Sequence, residues 1–194
     1  ADEILFGGSA GGAKTEGLLI AAIGDNELGV FKNSNWRVLI LRRTLTEVGT
    51  SRLETRSHEL FSSKGKYNEV KHRWVFPGGG MIQFGHIKNP NDVYKYQGSE
   101  FCLIEFDELT HFTSKMYTYM YSRLRTTDKM IKPKMKSATN PGNLGHAWVK
   151  ERFIDGRKAS KIYDDDVKIG DKVMKWTRCF IPATVFDNPH IMKN

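Results

Sequence analysis

Apolar positions along the 194-residue chain come in short runs, set apart by charged and turn-forming segments. Residues 4–6 form a brief apolar run of strand type, and residues 14–23 carry apolar side chains at helical spacing. "WRVLILRR" (36–43) is continuously apolar at its centre, the pattern of a strand covered on both faces of a parallel sheet. Residues 44–61 place Leu45, Val48, Leu53, Leu60 and Phe61 among charges, a helical stretch weakened by Gly49. Residues 67–87 differ: two alternating runs flank Pro77-Gly78-Gly79-Gly80, which predicts an antiparallel hairpin. "EFCLIEFDEL" (100–109) is another apolar strand, ending in two acids. Residues 114–125 predict a helix with Met116, Tyr117, Met120, Tyr121 and Leu124 on one face. "KMKSATNPG" runs from strand into turn, "GHAWVKERFI" is a short helix, and "WTRCFIPATVF" a last strand. Strands alternating with helices predict an α/β fold: a mainly parallel sheet with an antiparallel attachment at about 66–87.

Composition narrows the function classes. The chain is 39% hydrophobic and 27% charged, in the range of globular proteins, and fits one domain spanning 1–194. No apolar run approaches the ~20 residues that span a bilayer, so no membrane role is expected. Cys102 and Cys179 are the only cysteines, with no C-x-x-C pair, so neither a disulfide framework nor a cysteine zinc site is indicated and a reducing, cytosolic compartment is the default expectation. The net charge of +8 favours a polyanionic partner. The chain opens directly on a strand without methionine and stops in "DNPHIMKN", which reads as part of something longer.

Candidate chemistry begins in "EILFGGSAGGAKTEGLL". A phosphate-cradling loop reads G-x-x-x-x-G-K-[ST]; Gly8, Lys14 and Thr15 fit, while Ala13 stands where the second glycine belongs. A strand before the loop and a helix after it give the expected context. Released backbone N–H groups over Gly8, Ser9, Ala10, Gly11, Gly12 and Ala13 would then receive phosphates at the helix N-terminus. Lys14 would reach the β- and γ-phosphates, and Thr15 would ligate Mg²⁺. Any positive φ is expected at Gly7, Gly8, Gly11 or Gly12, with Ala13 in the right-handed helical region.

Asp107 and Glu108 stand where an apolar strand runs out, the place for a magnesium-holding acid and a glutamate that polarises the attacking water. Glu105, inside that strand, is expected to pair with a nearby Arg or Lys. Thr139 and Asn140 end the next strand, where short polar groups can sense a γ-phosphate or serve simply as a turn. All three pieces fall at the ends of successive strands, the edge where open α/β sheets bind ligands. Together they point to a nucleotide hydrolase using ATP and Mg²⁺.

The ordered set "GGSAGGAKT", "LILRRTL", "YQGSEFCLIEFDELTHF", "SRLR", "SATNPGNLGHAWVKERF" and "FIPATVFDNP" resembles the ATPase domain of tailed-phage large terminase subunits, over nearly the whole chain. The resemblance implies a P-loop NTPase fold of the ASCE type, with a mainly parallel central sheet flanked by helices. It implies that Gly8 to Thr15 are the phosphate loop, Asp107 the magnesium acid and Glu108 the catalytic glutamate. Ser137 to Asn140 would couple hydrolysis to motion. It further implies a role in driving double-stranded DNA into a procapsid, as a ring on the portal protein, with the small terminase subunit as partner. The place of action would be the host cytoplasm, transiently at the portal and not in the mature virion. The family's full-length proteins add an upstream adenine-binding segment and a C-terminal nuclease domain, both expected to lie outside this sequence.

Departures accompany the match. Ala13 is one; another is "KYQG" before the Asp-Glu strand, where several members carry an arginine and only Lys95 offers a charge. Arg42, Arg43, Arg123 and Arg125 are the alternative arginine fingers or sensors. Two basic groups could track DNA phosphates, one around the hairpin (Lys64, Lys66, Lys71, His72, Arg73) and one near the later helix exit (Arg123, Arg125, Lys129, Lys132, Lys134, Lys136), so the contact residues stay open. Asp164, Asp165 and Asp166 lack a second acidic strand and are not expected to form a nuclease metal site. Two other classes compete: a different nucleic-acid-dependent ATPase such as a helicase, and a non-catalytic nucleic-acid-binding module with a degenerate loop.

Overall fold

A computed structural model describes residues 1–8, 14–25, 27–44, 52–169 and 172–183. The strands are β1 (Glu3–Gly8), β2 (Arg37–Arg42), β3 (Lys66–Asn68), β4 (Arg73–Val75), β5 (Met81–His86), β6 (Leu103–Asp107), β7 (Lys134–Thr139), β8 (Ile162–Ile169) and β9 (Lys172–Ala183). The helices are α1 (Lys14–Ile23), α2 (Arg52–Phe61), α3 (Ser114–Tyr119) and α4 (His146–Phe153), with 3₁₀ turns at Pro90–Tyr96, Leu109–His111 and Met120–Arg123. These strands of the described residues join one sheet in the order β3-β4-β5-β2-β6-β7-β1-β9-β8. The run β5-β2-β6-β7-β1-β9 is parallel, and antiparallel pairs extend it at either side.

Alternation along the strands divides the core into two layers. Val38, Ile40 and Leu103 face α1 and α2 and pack with Leu19, Ala22, Leu53, Phe61 and Trp74. Leu39, Leu41, Ile104 and Phe106 face the other way, onto Met116, Tyr117, Val149 and Phe153 of α3 and α4. Because helices cover both faces, the central strands are apolar throughout instead of alternating with polar residues.

Three expectations change. The 67–87 hairpin forms, turning through Gly79 at φ +85, but its second arm β5 also pairs in parallel with β2 and belongs to the main sheet. The helix expected over 114–125 ends at Tyr119 and tightens to 3₁₀ over Met120–Arg123. Its tyrosines, threonine and serine are weak helix formers. Beyond them the chain peels away to bond Phe101, whose N–H donates to the Arg123 carbonyl while the Arg125 N–H donates back. A second antiparallel pair, β8 with β9, takes in Asp164, Asp165 and Asp166, in a segment for which the pattern predicts no element. The helix expected over 44–61 is present as α2; its 45–51 portion lies outside the described residues. No helix among the described residues is long and apolar enough to cross a membrane.

Candidate nucleotide site

At one edge of the sheet the C-terminal ends of β1, β6 and β7 come level. Gly7 pairs with Thr139 and Asp107 with Ala138, so the glycine loop, the acid pair and the polar turn share one rim. β7 lies between β1 and β6, and this insertion puts Asn140 beside Glu108.

Gly8 starts the loop at φ +143, and a Cβ there would come within 1.8 Å of the Ala183 carbonyl oxygen. Both facts demand glycine. Gly8→Ala is therefore expected to lower stability by at least the ~1–3 kcal/mol of backbone strain. Gly7→Ala, whose Cβ would meet the Phe180 ring at 3.3 Å, is expected to cost less. Urea midpoints of the two variants check this, and equal midpoints would contradict it. Ser9, Ala10, Gly11, Gly12 and Ala13 lie outside the described residues, and with them the expected φ of Ala13.

The Thr15 hydroxyl donates to Asp107, with 3.3 Å to Oδ2, across 92 residues of sequence. Lys14 is only 8% exposed. Burial pulls its ammonium below the ordinary lysine range, while the charges of Glu108 and Asp107 work against that shift. Both carboxylates thus lie near enough to Lys14 to act on its charge.

Arg42 closes the site from β2. Its Nε donates to Asp107 Oδ2 at 2.8 Å, and Nη2 contacts the same oxygen. Arg43, one residue on, points to the opposite face, where Nη1 donates to the Ile87 carbonyl at 3.1 Å beside Met116 Sδ. Arg123 and Arg125 stand at the start of β6, the far edge of the sheet, with Arg125 bound to Glu100 at 3.0 Å. Lys95 lies on the site's own rim beyond β2, bound to Asp92 at 3.0 Å. Of the four candidate arginines, the fold brings Arg42 alone against the acid pair.

Glu108 adopts the left-handed conformation, φ 58 and ψ 58, where a non-glycine residue costs of order 1–3 kcal/mol. Asn140 holds it there: Nδ2 donates to Oε1 at 2.9 Å and the backbone N–H donates to Oε2 at 3.3 Å. Asn140 is itself fixed through Thr110, whose hydroxyl donates to its carbonyl at 3.1 Å and whose N–H donates to Thr139 Oγ1. Sequence reading passed over Thr110, although it sits only three positions beyond Asp107 in "DELTHF".

Glu105 shares the Asp107 face of β6 and lies opposite Lys136 of β7. It is wholly buried, and neither carboxyl oxygen has a hydrogen-bond partner among the described residues. The expected basic neighbour is present without a bond, and burial pushes the carboxyl well above the usual range, toward a neutral acid. Asp165 is bound by Arg157 and Arg178 at 2.8 Å each, while Asp164 and Asp166 are exposed.

A cavity of about 470 Å³ lies at the far edge, beneath the C-terminal end of α1 and lined in part by Lys132, Lys134 and Lys136. None of Lys14, Thr15, Asp107 and Glu108 lines it.

Thr15 and Asp107 are hard oxygen donors, the type Mg²⁺ takes alongside nucleotide phosphates and water. Among the described residues no group of three or more His, Cys, Asp or Glu side chains could hold a metal by itself. A magnesium that arrives with phosphate oxygens does not need such a group.

The large terminase of a thermophilic bacteriophage, in complex with ADP, superposes with a TM-score of 0.64 at 15% identity, covering 99% of this chain and 43% of that one. A second crystal form of the same phage's large terminase gives 0.63 at 17% identity, covering 96% and 41%. The chain thus spans less than half the length of these structures. No curated protein sequence matches it significantly. The likeness fixes the fold as that of the terminase P-loop ATPase domain, with its mostly parallel sheet. The family profile for the phage terminase large subunit matches residues 3–191, and on that match the chain belongs to the phage terminase large subunit family.

Proposed function

We propose that this chain hydrolyses ATP to drive double-stranded DNA into a procapsid. The observation that carries the reading is the meeting of Lys14, Thr15, Asp107, Glu108 and Asn140 at one rim, from three strand ends. The thermophilic phage's large terminase was crystallised with ADP, which supports a nucleotide as this chain's ligand.

In this reading Gly8 and the loop after it receive the phosphates, and Lys14 neutralises the β- and γ-oxygens. Thr15 and Asp107 would hold Mg²⁺, which supplies charge neutralisation across the phosphates when bound. Glu108 accepts a proton from the attacking water; its left-handed backbone aims the carboxylate off the strand end instead of along it. Asn140 competes for that carboxylate and releases it as the rim rearranges, and Thr139 and Thr110 tie this release to β7. The reading extends to the partners: double-stranded DNA, the portal protein and the small terminase subunit, with a ring of copies on the portal in the host cytoplasm. Nuclease activity belongs to the longer protein, since Asp165 is committed to Arg157 and Arg178.

ATP turnover measured with and without double-stranded DNA, at low and high salt, tests the function. Mg²⁺-dependent hydrolysis that DNA changes, with DNA affinity falling steeply as salt rises, is expected. DNA binding without any hydrolysis would make the chain a binding module instead.

A further inference from the structure

Asp107 Oδ2 accepts from two groups at once, the Thr15 hydroxyl at 3.3 Å and the Arg42 guanidinium at 2.8 Å. The arginine's side chain is 15% exposed and the aspartate's 2%, so water screens the pair weakly. Alternation along β2 fixes this arrangement: Val38, Ile40 and Arg42 share the face of β2 that looks toward α1, while Arg43 is turned away. Parallel pairing of Leu41 with Phe106 then sets Arg42 beside Asp107.

A divalent cation at Thr15 and Asp107 would draw on the same carboxylate and repel the guanidinium a few ångströms away. With a nucleotide on the rim as read above, its terminal phosphate would be a new anionic partner for the displaced guanidinium. We infer that Arg42 is an exchangeable counterion: it neutralises Asp107 until metal-nucleotide arrives, then transfers to the terminal phosphoryl oxygens. This inference rests on the nucleotide reading of the rim. It gives the site its cationic group from the same chain, at the position where the acid pair is read. Charge balances at each stage, with the aspartate paired first to the guanidinium and then to the metal, and the guanidinium last to phosphate.

Mn²⁺ binding to ADP-loaded protein, followed by electron paramagnetic resonance, is the test, alongside single-turnover ATP hydrolysis. Arg42→Gln removes the competitor and is expected to tighten Mn²⁺ by about tenfold, the scale of a hydrogen bond to a charged group. The same variant is expected to slow hydrolysis by roughly 10³-fold, as when a phosphoryl-directed arginine is lost. Arg42→Lys keeps the charge without the two-pronged contact and should tighten Mn²⁺ less. If Arg42→Gln fails to fold, Arg42→Lys decides by itself. Mn²⁺ affinity unchanged or weakened in the variant that decides overturns the exchange. Asp107→Asn in the parent chain separates the two levels. If it leaves Mn²⁺ affinity intact, the metal reading of the rim fails and the exchange falls with it. If it abolishes Mn²⁺ binding while Arg42→Gln changes nothing, only the exchange fails.

Discussion

Glu108→Gln is expected to cut ATP turnover by about 10²–10⁴-fold while nucleotide affinity stays within a few-fold of the parent, the signature of a lost proton acceptor. The substituted side chain keeps an acceptor oxygen for Asn140 Nδ2, now 2.9 Å from the carboxylate, so the left-handed turn is expected to survive. Lys14→Ala should behave differently. It removes a buried cation placed beside two carboxylates, and nucleotide affinity itself is expected to collapse. Fluorescent-ADP titration together with turnover separates the two variants. Equal loss of affinity in both would exchange or erase the assigned roles.

Arg152→Met should produce the largest stability loss away from the site. Glu3 is 0% exposed at the start of β1, and its carboxylate takes Arg152 Nε and Nη2 at 2.9 Å each, Arg178 Nε at 3.1 Å and the Tyr117 hydroxyl at 3.0 Å. Removing Arg152 strands most of a buried charge, a change that typically costs about 3–5 kcal/mol. For a domain of this size that is roughly 6–20 °C in Tm. The pH dependence has a definite sign. Burial works to raise the Glu3 pKa, but the bonds and charge of Arg152, with the charge of Arg178, outweigh it and hold the carboxyl below its usual value. Such a group stabilises the fold above its unfolded pKa, and that contribution is lost as pH falls through the folded value. The gap between parent and Arg152→Met should thus be full at pH 7 and shrink in acid below about pH 4. Urea denaturation at both pH values measures it; a gap that does not change with pH would place the cost in lost packing instead.

What was legible in the sequence followed from short-range rules. The apolar runs of β1, β2, β6 and β7 are signals of period and burial, and ligand groups at parallel strand ends are a property of the architecture. The Lys14, Thr15, Asp107 and Asn140 cluster was readable for that reason. Side-chain parity was also available: Arg42 and Arg43 must face opposite layers, but with Val38 to Leu41 all apolar only the fold tells which. Register was not available. Nothing local sets Glu105 against Lys136, or joins Glu3 to arginines 149 and 175 positions away. Chain breaks that depend on a partner were hidden too, as at Tyr119, where the pull of Phe101 ends the helix.

The two outermost strands have a bearing on assembly. β3 is three residues long and carries exposed Lys66, and β8 presents Asp164 and Asp166 to solvent. Short or charged borders of this kind resist the addition of a foreign strand, because pairing would desolvate the charges. β3 is too short to pair widely, and a strand added to β8 would have to desolvate Asp164 and Asp166. In the ring proposed above, neighbouring copies would then be held by side chains and loops, not by a shared sheet. Contacts of that kind can slip and re-form with each turnover, whereas a continuous intersubunit sheet would lock them.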